Sequence, residues 1–229
     1  MDQNSEFNKW AENYREVLSD SVKSDGYDFS EYKVRELARY IADKECKLLD
    51  LGCGDGNSFR YVSKYIKNST YMGIDVADKA IDIAKTNWSK FGADFVCYDG
   101  KKIPFDDESF DVVFIACVLH HVPVEDRTDL LKECHRVLKK DGMIIIFEHN
   151  LKNPITKKVV EACPFDDNAV FLEPKELFAI LNKSGFADIK KRYTVFLPRK
   201  RFLKPFMGIE KYLWWCFMGG QYYCRAYRK

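Results

Sequence analysis

The 229-residue sequence has no long run of apolar residues, and this absence argues against a protein with a transmembrane helix. A transmembrane helix needs about 20 consecutive apolar residues, and no stretch approaches that length. Residues 1–10 are polar and lack the apolar core of a secretory signal. We therefore expect a cytoplasmic globular protein whose chain is long enough to bury one full core.

Paired cysteine motifs are also missing. The eight cysteines include no C-x-x-C pair, and most of them lie in apolar, strand-like runs. This spacing argues against a zinc cluster and against a disulfide framework. We expect buried free thiols in a reducing compartment and no metal site. The chain also has no internal repeat and no low-complexity linker, which favours one domain.

Charge is distributed unevenly along the chain. Between Lys183 and Lys229 there are twelve Lys and Arg but only two acidic residues, a local balance of +10. Because the whole chain has a net charge of +2, the preceding residues sum to −8. A solvated basic edge is the favoured interpretation. The alternative is attraction of an anionic substrate, such as a phosphorylated metabolite or a lipid phosphate.

What the sequence does contain is organised around residues 48–58 (LLDLGCGDGNS). An apolar run with one embedded acid predicts a buried parallel strand, and the loop after it has glycine at every second position. Phe59, Val62 and Ile66 then follow at helical spacing. Such a loop lets a ligand approach the backbone, and the helix N-terminus offers unpaired N–H groups. We expect a polar or anionic ligand there.

The rest of the chain alternates between strand-like and helix-like segments. Further strands are predicted at residues 70–75, 93–98, 110–117, 143–147, 186–197 and 220–227. Helices are predicted at residues 7–17, before Lys44, at 78–90, 125–139, 174–184 and 202–217. This order predicts a doubly wound α/β fold with a mostly parallel seven-stranded sheet whose edge is closed by one antiparallel strand. Within one domain we distinguish an N-terminal helical cap (1–44), a cofactor-binding core (45–150) and an acceptor-side insert with the sheet edge (151–229).

Acidic residues stand at the ends of three successive predicted strands: Asp50, Asp75 and Asp99. Ligands of open parallel sheets bind at the carboxyl ends of the strands. An acid about twenty residues beyond such glycines accepts hydrogen bonds from ribose hydroxyls, which fits Asp75. Asp99, one strand further along, could take the exocyclic amine of an adenine. The three acids together predict an adenosine pocket.

The glycine spacing separates two classes of adenosine cofactor. A dinucleotide loop follows G-x-G-x-x-G, with a third glycine that allows close helix packing. Here the glycines are Gly52, Gly54 and Gly56, and Asn57 stands where the third glycine is expected. A nicotinamide cofactor is therefore the less favoured one.

The chain resembles the class I S-adenosylmethionine-dependent methyltransferases over roughly residues 7–185. The stretches that carry this resemblance are residues 48–56, the ribose motif 73–75, Asp99, the fourth-strand motif 105–118 and the turn 138–143. The resemblance implies S-adenosyl-L-methionine as cofactor and S-adenosyl-L-homocysteine as product. The motifs identify the cofactor well and the methyl acceptor poorly.

The resemblance also implies a set of cofactor-binding residues: Asp50, Gly52, Cys53, Gly54, Asp75, Val76, Asp99, Gly100, Cys117 and Tyr14. Gly52 and Gly54 would pass beneath the methionine part, and Asp50 would orient the loop or receive the amino group. Asp75 would bind the ribose, and Asp99 with Gly100 would contact the adenine. A turn-capping role is the alternative for the three acids, and it is strongest for Asp99, which an Asp-Gly turn explains.

The remaining implied contacts lie at the sulfonium and the carboxylate of the cofactor. Cys117 and Val118, just past the fourth strand, would line the sulfonium. The cofactor carboxylate would be reached by Tyr14 or Arg35 from the N-terminal helices.

Three histidines follow predicted strands on the acceptor side: His120, His121 and His149. Methyl transfer requires alignment of a nucleophile opposite the sulfur, and a hydroxyl acceptor also benefits from a base near neutral pKa. His120 or His121 is the favoured base, with His149 as the alternative. A capping or loop-packing role for the histidine pair remains open.

The acceptor is expected to be a small molecule or a sugar that is methylated at oxygen. The insert after the fifth strand and the basic C-terminal third favour a phosphorylated or nucleotide-linked acceptor. Three alternatives stay open: an RNA methyltransferase that uses the basic residues 199–204, a nicotinamide-dependent oxidoreductase, and a non-catalytic adenosyl-binding module. No stable complex with nucleic acid is expected, and the sequence does not predict an oligomeric state.

An aromatic stretch lies at residues 212–218 (YLWWCFM), beside basic residues. Weak contact with a membrane surface is one interpretation. Core packing is favoured, because the stretch precedes a strand expected to lie at the sheet edge, where it needs cover.

Overall fold

A computed structural model describes residue 8 and residues 29–197 and 201–229. The predicted helix at 7–17, with Tyr14, lies outside the described residues apart from residue 8. The α-helices are Phe29–Ile41 (α1), Asn57–Tyr65 (α2), Asp78–Trp88 (α3), Arg127–Val137 (α4), Pro154–Glu161 (α5) and Pro174–Lys183 (α6). The strands are Cys46–Leu51 (β1), Ser69–Asp75 (β2), Ala93–Cys97 (β3), Phe110–Ala116 (β4), Leu138–His149 (β5), Phe186–Thr194 (β6) and Gln221–Arg228 (β7).

The seven strands form one sheet in the order β3-β2-β1-β4-β5-β7-β6. β1 to β5 run parallel to one another, and β7 runs antiparallel to both β5 and β6. The predicted fold class is therefore confirmed: a mostly parallel, doubly wound sheet with one antiparallel strand. The chain reverses its direction of winding between β1 and β4, which places the switch point there.

Helices cover both faces of this sheet. One face packs against α1 and α2 through residues such as Leu37, Phe59 and Val62, and the other packs against α4 and α6 through Leu131 and Leu177. The central strands β1, β4 and β5 lie between these layers, so their side chains are apolar in both directions. This burial explains why the strands were readable as continuous apolar runs.

Strand β5 is longer than the sequence predicts. It begins at Leu138 and passes through Asp141 and Gly142, which were expected to form a turn before it. Asp141 adopts φ +61°, and the pairing with β4 shifts register after Phe110. Asp141 and Gly142 thus form a bulge within a continuous strand and not a turn before it.

The aromatic stretch before β7 differs more sharply from its expectation. Tyr212, Trp214, Trp215 and Phe217 are exposed, so the prediction that this stretch packs into the core is wrong. The prediction assumed that the last strand forms the sheet edge. β7 instead lies between β5 and β6, and β6 forms the edge. No aromatic cover is needed there.

All eight cysteines are free thiols. Among the described residues, no helix combines the length and the apolar character that crossing a membrane requires.

Candidate active site

The glycine loop between β1 and α2 lies at the switch point of the sheet. The amides of Gly52 and Cys53 both donate to the carbonyl of Ile74 on β2, which fixes the loop against the neighbouring strand. Gly54 adopts φ +52°, and no atom of the residues that the structure describes lies within 4 Å of the position that a Cβ would occupy. The loop therefore presents bare backbone to open space, as the glycine pattern predicts.

The neighbouring positions of this loop, Gly52 and Cys53, are packed against other parts of the protein. A Cβ on Gly52 would lie 2.3 Å from Cγ2 of Val118, so the segment after β4 packs directly on the loop. The thiol of Cys53 is buried against Gly73 of β2. Cys53 therefore offers its backbone, not its sulfur, to the open side of the loop.

Asp75 at the end of β2 points at the glycine loop. Its carboxylate accepts from the amide of Gly54 over 2.8 Å and from the amide of Ala77 over 2.9 Å. Burial raises the pKa of Asp75, although these backbone donors favour the charged form. The carboxylate borders the open space over Gly54, where an adenosine ribose was predicted.

Asp50 has a different position from Asp75. It is almost completely buried beneath the loop, and its Oδ2 accepts from the hydroxyl of Tyr71 over 2.5 Å. Burial raises the pKa of Asp50 to about 7, while hydrogen bonds from Tyr71 and Ser58 act in the opposite direction. This environment favours the loop-orienting role of Asp50 over direct contact with a ligand.

Asp99 is not brought into this group of acids. Its carboxylate is exposed and accepts from the amides of Lys101 and Lys102 in its own turn. These donors lower the pKa of Asp99. Gly100 does approach the site: with φ +79°, its Cβ position lies 3.1 Å from Val76, just after β2. The turn-capping alternative thus describes the Asp99 side chain, and the backbone at Gly100 joins the ends of β2 and β3.

Cys117 follows β4 and has an unusual environment. It adopts φ +61°, a left-handed conformation that costs roughly 1–2 kcal/mol for a residue with a Cβ. Burial is the largest influence on its thiol and raises the pKa, but Lys33 and His149 together outweigh it. Lys33 donates to the sulfur over 3.0 Å, and the pKa of Cys117 is lowered to about 6. These neighbours favour the thiolate form of Cys117.

His120 is buried between two carboxylates. Its Nδ1 lies 2.5 Å from Oε2 of Glu148 at the end of β5, and its Nε2 lies 3.5 Å from Oδ1 of Asp166. The ring of Phe171 stacks on the imidazole at 4.9 Å. Burial opposes charge on the imidazole, yet Glu148 and Asp166 raise the pKa of His120 to about 10. His120 is an imidazolium at neutral pH.

His121 is held in the opposite protonation state. Its Nε2 lies 3.6 Å from the same Asp166 oxygen, and its ring centroid lies 4.1 Å from that of His120. Burial and the neighbouring His120 charge lower the pKa of His121 to about 4. The third predicted histidine, His149, lies beside them with its ring 5.4 Å from that of His120. The structure thus brings the three predicted histidines together.

Sequence reasoning missed several residues of this site. Lys33 is the buried cation of α1, whereas Arg35, which was named as a candidate, is exposed. Lys33 precedes Leu37 and Ile41 at intervals of four, so a cation in the apolar stripe of a helix was the available signal. Asp166 had no such signal, because only tertiary structure brings the insert after α5 to the end of β4.

A family model for a methyltransferase domain matches residues 49–146. Two curated relatives are similar to the chain over more residues than this model covers. A demethylmenaquinone methyltransferase of Thermotoga maritima is 30% identical over 152 residues, covering 66% of this chain and 62% of that protein. A phthiotriol/phenolphthiotriol dimycocerosates methyltransferase of Mycobacterium ulcerans is 31% identical over 111 residues, covering 48% and 40% respectively. The matches thus span less than two thirds of either relative.

A solved structure shares the fold along its whole length. The structure of a SAM-dependent methyltransferase, possible histamine N-methyltransferase, from Thermotoga maritima superposes with a TM-score of 0.68 and covers 99% of both chains. Its sequence identity is 21%, so this likeness bears on the fold alone.

Proposed function

We propose that the chain is a class I S-adenosylmethionine-dependent methyltransferase, which transfers a methyl group from this cofactor to a hydroxyl of a small-molecule acceptor; the matching methyltransferase-domain model and the similar methyltransferases support this. The observation that carries the proposal is the cluster after β4, in which His120 lies between Glu148 and Asp166 and His121 lies 3.6 Å from the same Asp166 oxygen. This environment raises the pKa of His120 and lowers that of His121. Two neighbouring groups whose pKa values are pushed apart are the usual arrangement for acid–base work.

The residues around Gly54 fit the cofactor. S-adenosylmethionine supplies a methyl group on a positively charged sulfur, which is already activated for displacement. Asp75 offers a carboxylate to the ribose hydroxyls, and the bare backbone at Gly54 admits the cofactor where a side chain would block it. Asp50 supports the loop from beneath through Tyr71. Lys33 and Cys117 border the acceptor side as a charged pair.

The histidine cluster handles the proton of the acceptor. As the new bond from carbon to oxygen forms and the bond from carbon to sulfur breaks, the hydroxyl must lose its proton. His121 is the neutral imidazole of the pair and can accept it. Both ring nitrogens of His120 face carboxylates, those of Glu148 and Asp166, so His120 positions the cluster. Asp166 lies close to both rings and orients them.

The acceptor is proposed to be apolar. The names of both relatives indicate lipid-related acceptors, a demethylated menaquinone and the dimycocerosates. Phe171, which stacks on His120, adds an apolar wall beside the histidines. These observations favour a lipid-like small molecule over the sugar or phosphorylated acceptor that the sequence suggests.

Two measurements test this proposal in order. Calorimetric titration with S-adenosylhomocysteine should show saturable binding, and fluorescence titration with NADH should not. Incubation with cofactor labelled in the methyl group and a total cell extract should then place the label in the organic-solvent fraction.

Other outcomes would redirect the assignment. Label in the acid-precipitated fraction would indicate nucleic acid or protein as the acceptor, and label in the aqueous fraction would indicate a sugar. Cofactor binding without any transfer would leave a binding module. Transfer that survives unchanged in His121→Gln would exclude His121 as the proton acceptor.

A further inference from the structure

An apolar surface lies on the segment that precedes β7. Among residues whose side chains the structure describes, six of the eleven exposed large apolar side chains fall within ten consecutive positions. We name them the aromatic patch: Ile209, Tyr212, Trp214, Trp215, Phe217 and Met218, with exposed fractions of 42–67%. Single exposed apolar residues need no explanation, but a contiguous group of them marks an interaction site.

The backbone beneath the aromatic patch is fixed at several points. Asn150 donates from Nδ2 to the carbonyl of Phe217 over 2.7 Å, and Asn153 donates to the carbonyl of Met218 over 2.5 Å. The carbonyl of Trp214 accepts from a backbone amide of β6 over 2.9 Å. The exposed rings are therefore carried on an ordered backbone and are not the side chains of a frayed loop.

Basic side chains lie beside the aromatic patch. Residues 190–218 contain eight Lys and Arg and one acidic residue, Glu210. Glu210 is buried and accepts from two backbone amides, so it is directed away from the surface. Arg192 lies 5.3 Å from the ring of Trp214, and Lys211 lies 4.8 Å from the aromatic ring next to it. Apolar rings and unbalanced positive charge thus share one surface.

The aromatic patch borders the acceptor side of the candidate site. Its anchors Asn150 and Asn153 follow β5, the strand that ends in Glu148 and His149. The first residue of β7, Gln221, pairs with His149 across the sheet. A molecule that approaches the histidines from this side therefore passes close to the patch.

We propose that the aromatic patch docks this protein on an anionic bilayer surface. Tryptophan and tyrosine rings partition to the headgroup level, and nearby Lys and Arg are attracted to anionic lipids. Interfaces between proteins are instead depleted in lysine. Docking would also let an apolar acceptor enter the site from the membrane, and this second part of the inference rests on the proposed function. The docking itself is independent of the proposed function.

Vesicle flotation with the full chain tests the docking. Wild-type protein should partition at least about tenfold more strongly to phosphatidylcholine vesicles containing about 25% phosphatidylglycerol than to phosphatidylcholine alone. The double variant Trp215→Ser/Phe217→Ser should lose about tenfold or more of this partitioning, because two inserted rings are removed. Phe91→Ser/Val124→Ser is the matched control, since both side chains are similarly exposed outside the patch. The control should bind like wild type.

Calorimetry with S-adenosylhomocysteine on the same variants shows whether each of them is folded. Equal partitioning to both kinds of vesicle, or equal loss in the patch and control variants, would overturn the docking. So would a wild-type dimer in sedimentation that the patch variant converts to a monomer, because a second copy would then cover the patch. Intact cofactor binding without vesicle binding defeats the docking alone. Vesicle binding without cofactor binding defeats the proposed function alone.

Discussion

At the scale of single residues, alanine at Gly54 should have two effects: backbone strain that lowers stability, and a methyl group that blocks the ligand. A comparison with Gly92 separates them. Gly54 and Gly92 both have positive φ, +52° and +93°, and within the described part of the chain neither has an atom within 4 Å of its Cβ position. Alanine at either site should cost roughly 1–2 kcal/mol of stability through backbone strain. Only Gly54→Ala should abolish calorimetric binding of S-adenosylhomocysteine. Equal affinity in the two variants would show that the open space over Gly54 is not the cofactor site.

The histidine cluster predicts a distinctive dependence of stability on pH. His120 has a raised pKa of about 10 against an unfolded value of 6.5, because Glu148 and Asp166 outweigh its burial. Its contribution is complete below pH 6.5 and is lost as the pH rises toward about 10. His121 has a lowered pKa of about 4, so stability should also fall as the pH drops from 6.5 to about 4. Asp50 and Cys117 have pKa values of about 7 and about 6, and their slopes have the opposite sign over the same ranges. The two histidine contributions are therefore measured as differences in denaturant unfolding between wild type and the variants His120→Gln and His121→Gln.

The contribution of His120 has a matched control. One proton contributes a slope of at most about 1.4 kcal/mol per pH unit. Relative to wild type, the stability of His120→Gln should rise between pH 6.5 and about 10. The stability of His135→Gln should run parallel to wild type over this range, because the pKa of His135 is lowered by burial. A chelator should have no effect. It is a necessary control, since donor atoms of His120, His121 and Asp166 lie within 4.8 Å of one another and a cation could bridge them.

The site could be predicted from sequence where local pattern sets it. Gly54 and Asp75 follow buried strands directly, so strand order alone brings them together. Lys33 and Asp166 arrive from a helix and an insert outside the central motifs, and only tertiary packing places them. The Asp99 side chain turns to its own loop, because it accepts from two backbone amides there, a local bond that the strand-end pattern does not reveal.

At the scale of elements, α5 is tied to the aromatic patch through its cap. Asn153 accepts from the amides of Ile155 and Thr156 and donates to the carbonyl of Met218. Asn153→Ala removes the cap and leaves that carbonyl unpaired, so it should destabilise the protein by about 1–3 kcal/mol. Asn182→Ala, in an exposed helical position, should stay within about 0.5 kcal/mol of wild type. Thermal unfolding measures both, and equal losses would contradict this account.

The elements themselves show which part of a fold a sequence specifies. Central strands such as β1 and β4 were predictable because burial on both faces demands continuous apolar runs. The position of β7 was not, since an antiparallel strand pairs by register with β5 and β6, and no local signal encodes its neighbours. The exposure of the aromatic stretch follows from that position and was missed with it.

At the scale of the whole molecule, cofactor binding at the switch point should stabilise the entire sheet. A ligand at about 100 times its Kd adds about 2.7 kcal/mol, which corresponds to a rise in Tm of roughly 5–10 °C for a chain of this size. S-adenosylhomocysteine should produce this shift in wild type and in Asp82→Asn, an exposed position on α3. Asp75→Asn should largely lose it. A full shift in Asp75→Asn would remove that carboxylate from the binding site.

The interior position of β7 also has a consequence during synthesis. Residues 143–147 of β5 are buried and strongly apolar, and their outer edge is paired by a strand that is the last described one along the chain. Until that strand leaves the ribosome, this edge offers unpaired N–H and C=O groups to any neighbouring chain. A nascent protein arrested before residue 221 should therefore recruit chaperones and coaggregate, although its cofactor loop is already made.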